Sequence, residues 1–136
     1  MLKPEELLHF IEFPAFSKAW EKELGLGDDA LAELQSLIMA NPTVHPVVRG
    51  TGGLRKLRFA PTTWHTGKRG AVRVCYVYFQ DHGAVLLLAA YSKSQKDDLT
   101  STERSLISGA ITRAKSALDQ LRQARREDAR NQEESR

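Results

Sequence analysis

The sequence is short of cysteine, of long apolar runs and, through its central part, of acidic residues. Cys75 is the only cysteine in the chain of 136 residues, which excludes an intrachain disulfide and a metal cluster built on cysteines. The longest apolar run, residues 84–91, is far too short to cross a bilayer. The acidic N-terminal segment also lacks the positive region and apolar core of a secretory signal. We therefore expect a soluble, cytoplasmic protein that has no membrane partner.

The absence of acids from residues 34–80 leaves a basic island in the sequence. The whole chain has a formal net charge of +3 and seven cations lie in this interval, so +3 minus 7 leaves −4 for the remainder. The cations are Arg49, Arg55, Lys56, Arg58, Lys68, Arg69 and Arg73. Because clustered cations attract polyanions and release condensed counterions from phosphates, nucleic acid is the first partner to test.

Hydrophobic periodicity predicts an α+β fold, with an N-terminal strand and a helical hairpin packed on a mostly antiparallel sheet and a C-terminal helix. Alternating or β-branched runs predict strands at residues 7–13, 54–59, 72–79 and 85–91. Helical spacing predicts two short helices between Pro14 and Asn41, the second of them capped by Asp28. We expect the helices to pack on one face of the sheet.

The C-terminal helix is predicted to begin with a capping box. Thr100 and Glu103 have the spacing at which side chains and free backbone N–H groups exchange hydrogen bonds. The apolar stripe that follows consists of Ile107, Ala110, Ile111, Ala114, Leu118 and Leu121. Mixed charge then replaces apolar residues, which predicts frayed helix or disorder. We therefore divide the chain into a domain at residues 1–121 and a charged tail at residues 122–136.

The predicted strands bring several basic residues and one aromatic ring together. Lys56 and Arg58 lie on the same face of their strand. Arg73 lies near the start of the next strand, and Tyr91 and Lys93 lie at the end of the last. If these strands pair as hairpins, the shared face can hold a phosphate, stack a base and neutralise charge on phosphate oxygens. A lysine crowded by arginines is harder to protonate, so Lys56 is a candidate base for attack by a 2′-hydroxyl.

Three motifs, in this order, give the chain a resemblance to a known family. The first is Gly-Thr-Gly-Gly-Leu-Arg-Lys-Leu-Arg at residues 50–58, and the second is Gly-Lys-Arg-Gly-x-x-Arg-Val-x-Tyr at residues 67–76. The third is Tyr-x-Lys at residues 91–93, followed by Asp-Leu-Thr at residues 98–100. Together they resemble the RelE superfamily of bacterial toxins, and most of all the HigB-like branch of type II toxin–antitoxin pairs.

The resemblance implies a compact α+β fold and a metal-independent messenger-RNA endonuclease. Such a toxin cuts codons in the ribosomal A site and thereby inhibits translation. The resemblance also implies a tight complex with an antitoxin encoded beside it, of the helix-turn-helix, HigA-like kind. Operator DNA would then be contacted only through the antitoxin, and no cofactor is implied.

The family pattern assigns roles to six residues of this chain. Lys56 and Arg58 match its basic strand pair, and Lys68 matches its basic loop. Arg73 matches the phosphate-stabilising arginine. The aromatic near the scissile nucleotide and the basic residue after it correspond to Tyr91 and Lys93. The chain departs from the pattern at residue 71, where an alanine stands in place of an expected second glycine.

Two other functions stay open for this scaffold. A ParE-like protein acts on DNA gyrase without cutting RNA, although such relatives generally lack the basic site residues. A degenerate toxin would bind only its antitoxin or DNA.

Several polar residues outside the six have structural or surface interpretations. His45 and the other histidines show no metal-ligand spacing, so we interpret them as structural or surface residues. Arg55 alternates away from Lys56, which predicts a surface position or an antitoxin contact. The adjacent Asp97 and Asp98 are interpreted as the lead into the Thr100 cap.

Overall fold

The protein has a central mixed sheet, seen here in a computed structural model that describes residues 7–64, 71–93 and 98–135. The four strands are β1 (His9–Glu12), β2 (Arg55–Phe59), β3 (Val72–Phe79) and β4 (Ala84–Ser92). Their order across the sheet is β1-β4-β3-β2. β1 pairs parallel to β4, whereas the other two pairings are antiparallel. The predicted α+β class and the mostly antiparallel sheet are therefore confirmed.

The helical hairpin between β1 and β2 is present, with one difference at a helix start. Helix α1 (Pro14–Lys18) continues into a π-helical turn (Ala19–Glu23), and α2 spans Asp28–Ala40. Gly25, with φ +64°, allows the chain to leave the first helix and begin the second. The prediction that Asp28 is the N-cap is wrong, because Gly27 occupies the cap and Asp28 begins the helix. A carboxylate in that first turn still faces the positive end of the helix dipole.

Helices cover both faces of the sheet, so the expectation of a single covered face is wrong. On one face, Phe16 and Trp20 of the first helix and Leu34 and Ile38 of α2 pack on β-strand residues such as Val74. The other face packs against the C-terminal helix α3 (Ser101–Glu134) through its own apolar cluster. Two covered faces require strands that are apolar on both sides, and β3 and β4 have this composition.

The start of α3 has the predicted capping box. The Thr100 hydroxyl accepts from the Glu103 N–H at 3.1 Å, and the Glu103 carboxylate accepts from the Thr100 N–H at 2.9 Å. The predicted apolar stripe packs on the sheet as far as Leu118, but Leu121 is 54% exposed. The helix continues through Glu134, so the segment expected to be frayed helix or disorder is a continuous, exposed helix.

No helix within the described ranges is both long and apolar enough to span a membrane.

Candidate functional site

The register of the sheet places the predicted basic residues in neighbouring rows. Arg58 pairs with Arg73, and Arg73 pairs with Tyr91. Lys56 lies opposite Cys75 in the adjacent row. Directly paired residues project to the same side of a sheet, so these side chains share the face that α3 covers. Helix α3 covers the apolar part of this face, which includes Cys75. The basic residues lie beside the covered part.

An open cleft of about 780 Å³ lies at this basic end of the sheet. Its lining residues are His45, Pro46, Lys56, Leu57, Arg58, Arg73 and Lys93. The structure thus brings together four of the six predicted site residues, from β2, β3 and the end of β4. Lys68 lies outside the described residues.

Tyr91 lies in the same row as Arg73 but does not line the cleft. Its side chain is only 3% exposed and packs in the apolar cluster beneath α3. Burial raises the pKa of Tyr91 above its ordinary value, so the phenol is protonated at neutral pH. A buried ring is not positioned to stack on a base, and the aromatic role predicted for Tyr91 stays a prediction.

Arg73 is the least exposed cation of the cleft, at 7% exposure. Its Nη1 atom donates to the carbonyl oxygen of Ala71 at 2.8 Å, which holds the guanidinium in one orientation. Arg58, in contrast, is exposed, and Lys56 is half-buried. A fixed, nearly buried guanidinium beside more exposed cations suits the stabilisation of a charge that develops at one position.

A carboxylate that the sequence reasoning missed contacts the cleft. Asp98 lies 3.3 Å from Lys56 Nζ and 3.2 Å from Arg104 Nη2. The Leu99 N–H also donates to it at 2.8 Å, and this bond, together with Lys56 and Arg104, lowers the pKa of Asp98. Lys56 therefore has an anionic partner, which differs from the purely cationic surroundings on which its role as a base was predicted.

His45 is a second residue of the cleft that the sequence reasoning did not select. It lies in the segment between α2 and β2, which runs beside β2 through a bridge between Val47 and Arg55. The Lys56 N–H donates to the Pro46 carbonyl at 3.1 Å. This pairing places His45 beside β2, among the lining residues of the cleft. Burial, and secondarily the nearby Arg55 guanidinium, lowers the pKa of His45 below its ordinary value.

Arg55 holds this segment in place instead of extending into solvent. Its Nη1 donates to the carbonyl oxygens of Thr43 at 2.9 Å and His45 at 2.7 Å. The prediction that Arg55 faces away from Lys56 fits this arrangement. The side chain of Arg55 binds backbone carbonyls of the protein itself.

The glycine-rich motif shapes the turn that returns the chain into β2. Gly50, Gly52 and Gly53 have φ values of +74°, +79° and +117°, a region that favours glycine. Between them the fully buried Thr51 donates its hydroxyl to the Val48 carbonyl at 2.6 Å and accepts from the Leu54 N–H at 3.1 Å. The motif therefore fixes the turn between the segment that carries His45 and strand β2.

The cleft can bind phosphate groups and stabilise negative charge on them. Four cations line it, and His45 is the only lining residue whose side chain exchanges protons readily near neutral pH. Within residues 7–64, 71–93 and 98–135, no group of three or more His, Cys, Asp or Glu side chains is placed to hold a metal ion.

Comparison with known proteins finds solved structures that are similar to this chain, and two of them are from E. coli. No family model matches the chain. The intact E. coli RelBE toxin–antitoxin complex is similar over 63% of this chain and 96% of the compared chain, at 14% identity and a TM-score of 0.46. A free E. coli RelE toxin carrying two arginine-to-alanine changes is similar over 66% of this chain and 87% of that chain, at 14% identity and a TM-score of 0.47.

Proposed function

We propose that this protein is the toxin of a type II toxin–antitoxin pair and that it cuts messenger RNA. The observation that carries the proposal is the cleft in which Lys56, Arg58, Arg73 and Lys93 converge. Clustered cations attract a polyanion, and donors aimed at a reacting phosphate stabilise the charge that builds on it. The three ordered sequence motifs, which contain all four of these residues, support the same function.

In the proposed reaction, a ribose 2′-hydroxyl loses its proton and its oxygen attacks the adjacent phosphorus, while the bond to the 5′-oxygen breaks and that oxygen takes up a proton. We assign Arg73 to the reacting phosphate. Its guanidinium is already held by the Ala71 carbonyl and therefore loses little freedom when it binds a phosphate. Arg58 and Lys93 hold the flanking phosphates. Lys56 joins them when a phosphate displaces Asp98, its partner in the free protein.

On the sequence motifs alone, we extend the proposal to the target and the partner. The messenger RNA is cut within the ribosomal A site in the cytoplasm, and the antitoxin is of the helix-turn-helix, HigA-like kind. The assignment to the HigB-like branch also rests on these motifs. The ParE-like alternative has less support, because a gyrase inhibitor does not require four cations around one cleft.

Controlled expression in bacteria tests this proposal, with messenger-RNA 5′ ends mapped across the transcriptome. Wild-type protein is expected to arrest growth and to produce new 5′ ends at fixed positions within codons. Arg73→Ala is expected to abolish both effects. Because Arg73 is buried, the exposed Arg58→Ala serves as a second variant, and Lys115→Ala on α3 serves as the control.

The possible outcomes separate the candidate functions. Arrest without new RNA ends would favour the gyrase inhibitor, which a supercoiling assay with purified protein would identify. Absence of arrest, together with retained antitoxin binding, would favour a degenerate toxin. Full toxicity of folded Arg73→Ala and Arg58→Ala proteins would refute the assignment of the cleft as the active site.

A further inference from the structure

The carboxylate that pairs with Lys56 is also held by a cation of helix α3. Asp98 Oδ1 lies 3.3 Å from Lys56 Nζ, and Asp98 Oδ2 lies 3.2 Å from Arg104 Nη2. Lys56 belongs to β2, whereas Arg104 lies near the start of α3 and outside the three sequence motifs. Since both cations contact the two oxygens of one carboxylate, they are close enough to contact a single phosphate group in its place.

Arg104 is an unfavourable residue for its position in the helix. It is the fourth residue of α3, and the free backbone N–H groups of the first turn make that end of a helix positive. The helix dipole stabilises a cation in the last turn but repels one near the start. The presence of Arg104 is therefore better explained by the anion that it binds than by the stability of the helix.

The edge of the Arg104 guanidinium that faces Asp98 is only partly used. Nε and Nη2 donate from the same edge of this planar group. Nη2 donates to Asp98, whereas Nε is buried and has no acceptor among the residues that the structure describes. The carboxylate is shared, because it also accepts from Lys56 and from the Leu99 N–H. A phosphate in this position can accept from both Nε and Nη2, which is the paired contact that arginine favours.

Asp98 can leave this position at a small cost. Its side chain is 47% exposed, and ion pairs at such exposure are weak. It lies two residues before the Thr100 cap, outside α3, so its side chain can turn away while the helix stays in place. The other carboxylate of this turn, that of Glu103, accepts from the Thr100 N–H at 2.9 Å in the capping box.

We infer that Arg104 and Lys56 form a phosphate-binding subsite that the Asp98 carboxylate occupies in the free protein. This inference rests on the proposed function, because the phosphate belongs to the RNA strand bound in the cleft. When the strand binds, Asp98 turns away and the phosphate accepts from both cations. The strand then extends from the cleft across the start of α3, so this helix contributes to RNA binding as well as to the core.

A double-mutant cycle tests the inference, with fluorescence anisotropy of a short labelled 2′-O-methyl RNA, which cannot be cut, near physiological salt. In the wild-type background Arg104→Gln is ambiguous, because it also leaves Asp98 to neutralise Lys56 alone. The decisive comparison is therefore Asp98→Asn with the double variant Asp98→Asn/Arg104→Gln. Arg113→Gln in the Asp98→Asn background is the matched control, since Arg113 is an exposed cation of the same helix and does not line the cleft. Arg58→Ala reports whether the cleft itself binds the RNA, and urea unfolding confirms that each variant is folded.

In the Asp98→Asn background we expect Arg104→Gln to weaken RNA binding by roughly 5- to 30-fold, and Arg113→Gln by less than about 2-fold because its charge is screened. If Arg104 acts only as a partner of Asp98, Arg104→Gln will leave the affinity of Asp98→Asn unchanged. That result, or an equal loss in the two arginine variants, would overturn the inference. The proposed function would stay intact in either case provided that Arg58→Ala weakens binding. RNA binding that neither Arg58→Ala nor Arg104→Gln weakens would overturn both.

Discussion

Replacing Asp98 by asparagine tests whether the cleft is a phosphate site whose charge is partly neutralised in the free protein. The Asp98 carboxylate contacts Lys56 at 3.3 Å and Arg104 at 3.2 Å and accepts from the Leu99 N–H at 2.8 Å. Asparagine keeps an oxygen that can accept from the Leu99 N–H but carries no charge. The Asp98→Asn variant should therefore fold normally and present Lys56 as a free cation.

The expected gain in RNA affinity follows from the exposure of this ion pair. The side chains of Lys56 and Asp98 are 32% and 47% exposed, and pairs of this kind are worth about 0.2–1 kcal/mol. Removing this competition should tighten RNA binding by about 1.4- to 5-fold near physiological salt. Because each additional neutralised phosphate of a single strand releases about 0.7 counterion, the plot of log K against log salt should steepen by about 0.7.

Fluorescence anisotropy with a short labelled single-stranded RNA, repeated over a series of KCl concentrations, measures both quantities. The matched control is Asp119→Asn on α3, which changes the net charge equally but removes a carboxylate that pairs with His82 and Lys115 outside the cleft. Because Asp119 does not line the cleft and exposed charges are screened by salt, the control should leave the slope unchanged. Equal slopes for the two variants, or weaker binding by Asp98→Asn, would refute the reasoning.

Two further predictions concern stability. Thr100→Ala removes one half of the capping box and should lower the free energy of unfolding by about 0.5–2 kcal/mol. Urea unfolding measures this loss as a lower midpoint than that of a Ser101→Ala control. Equal midpoints would contradict the assigned role of the cap. Burial raises the pKa of Tyr76 to about 12, above the unfolded value near 10, so its contribution to stability is complete below pH 10 and is lost as the pH rises toward 12. Tyr76→Phe should weaken this alkaline loss of stability, measured as the free energy of unfolding at a series of pH values. At neutral pH the same change should lower the free energy of unfolding by about 0.5–1.5 kcal/mol, because the bond to the Pro42 carbonyl disappears. An unchanged alkaline slope would show that the phenol does not titrate as stated.

Local pattern predicted the strands well, because alternation and β-branched composition are properties of neighbouring residues. It did not predict on how many faces the helices pack, since that depends on where α3 returns relative to the sheet. A signal was nevertheless present: Val72–Phe79 is apolar on both faces, and such a strand needs a layer on each side. The C-terminal apolar stripe supplies the second layer.

The contrast between local pattern and placement in the fold also explains which site residues could be found from the sequence. Lys56, Arg58 and Arg73 follow from strand alternation and hairpin pairing, and the structure places them around one cleft. Asp98 lies 42 residues from Lys56 and outside the acid-free interval, so local charge counting overlooked its neutralising effect. His45 enters the cleft through a bridge to β2 in an irregular segment, where no periodicity indicates which way a side chain faces.

The length of α3 explains why mixed charge after Arg122 predicted either frayed helix or disorder for the C-terminal segment. A helix of 34 residues is about 51 Å long, whereas the nine residues of β4 span about 30 Å, so about 20 Å of helix extends beyond the sheet. The 13 residues from Arg122 to Glu134 account for this excess at 1.5 Å each. Within the described part of the chain, the 2.7 Å contact of His82 with Asp119 and the bond from Arg122 to the Asp81 carbonyl tie this part of the helix to the rest of the protein. Among the residues that the structure describes, the helix beyond Arg122 is exposed and is supported by its intrinsic propensity and by pairs such as Gln123 with Glu127, which contribute a few tenths of a kcal/mol each. Its mixed charge, with few apolar residues, suits a helix in that exposed position.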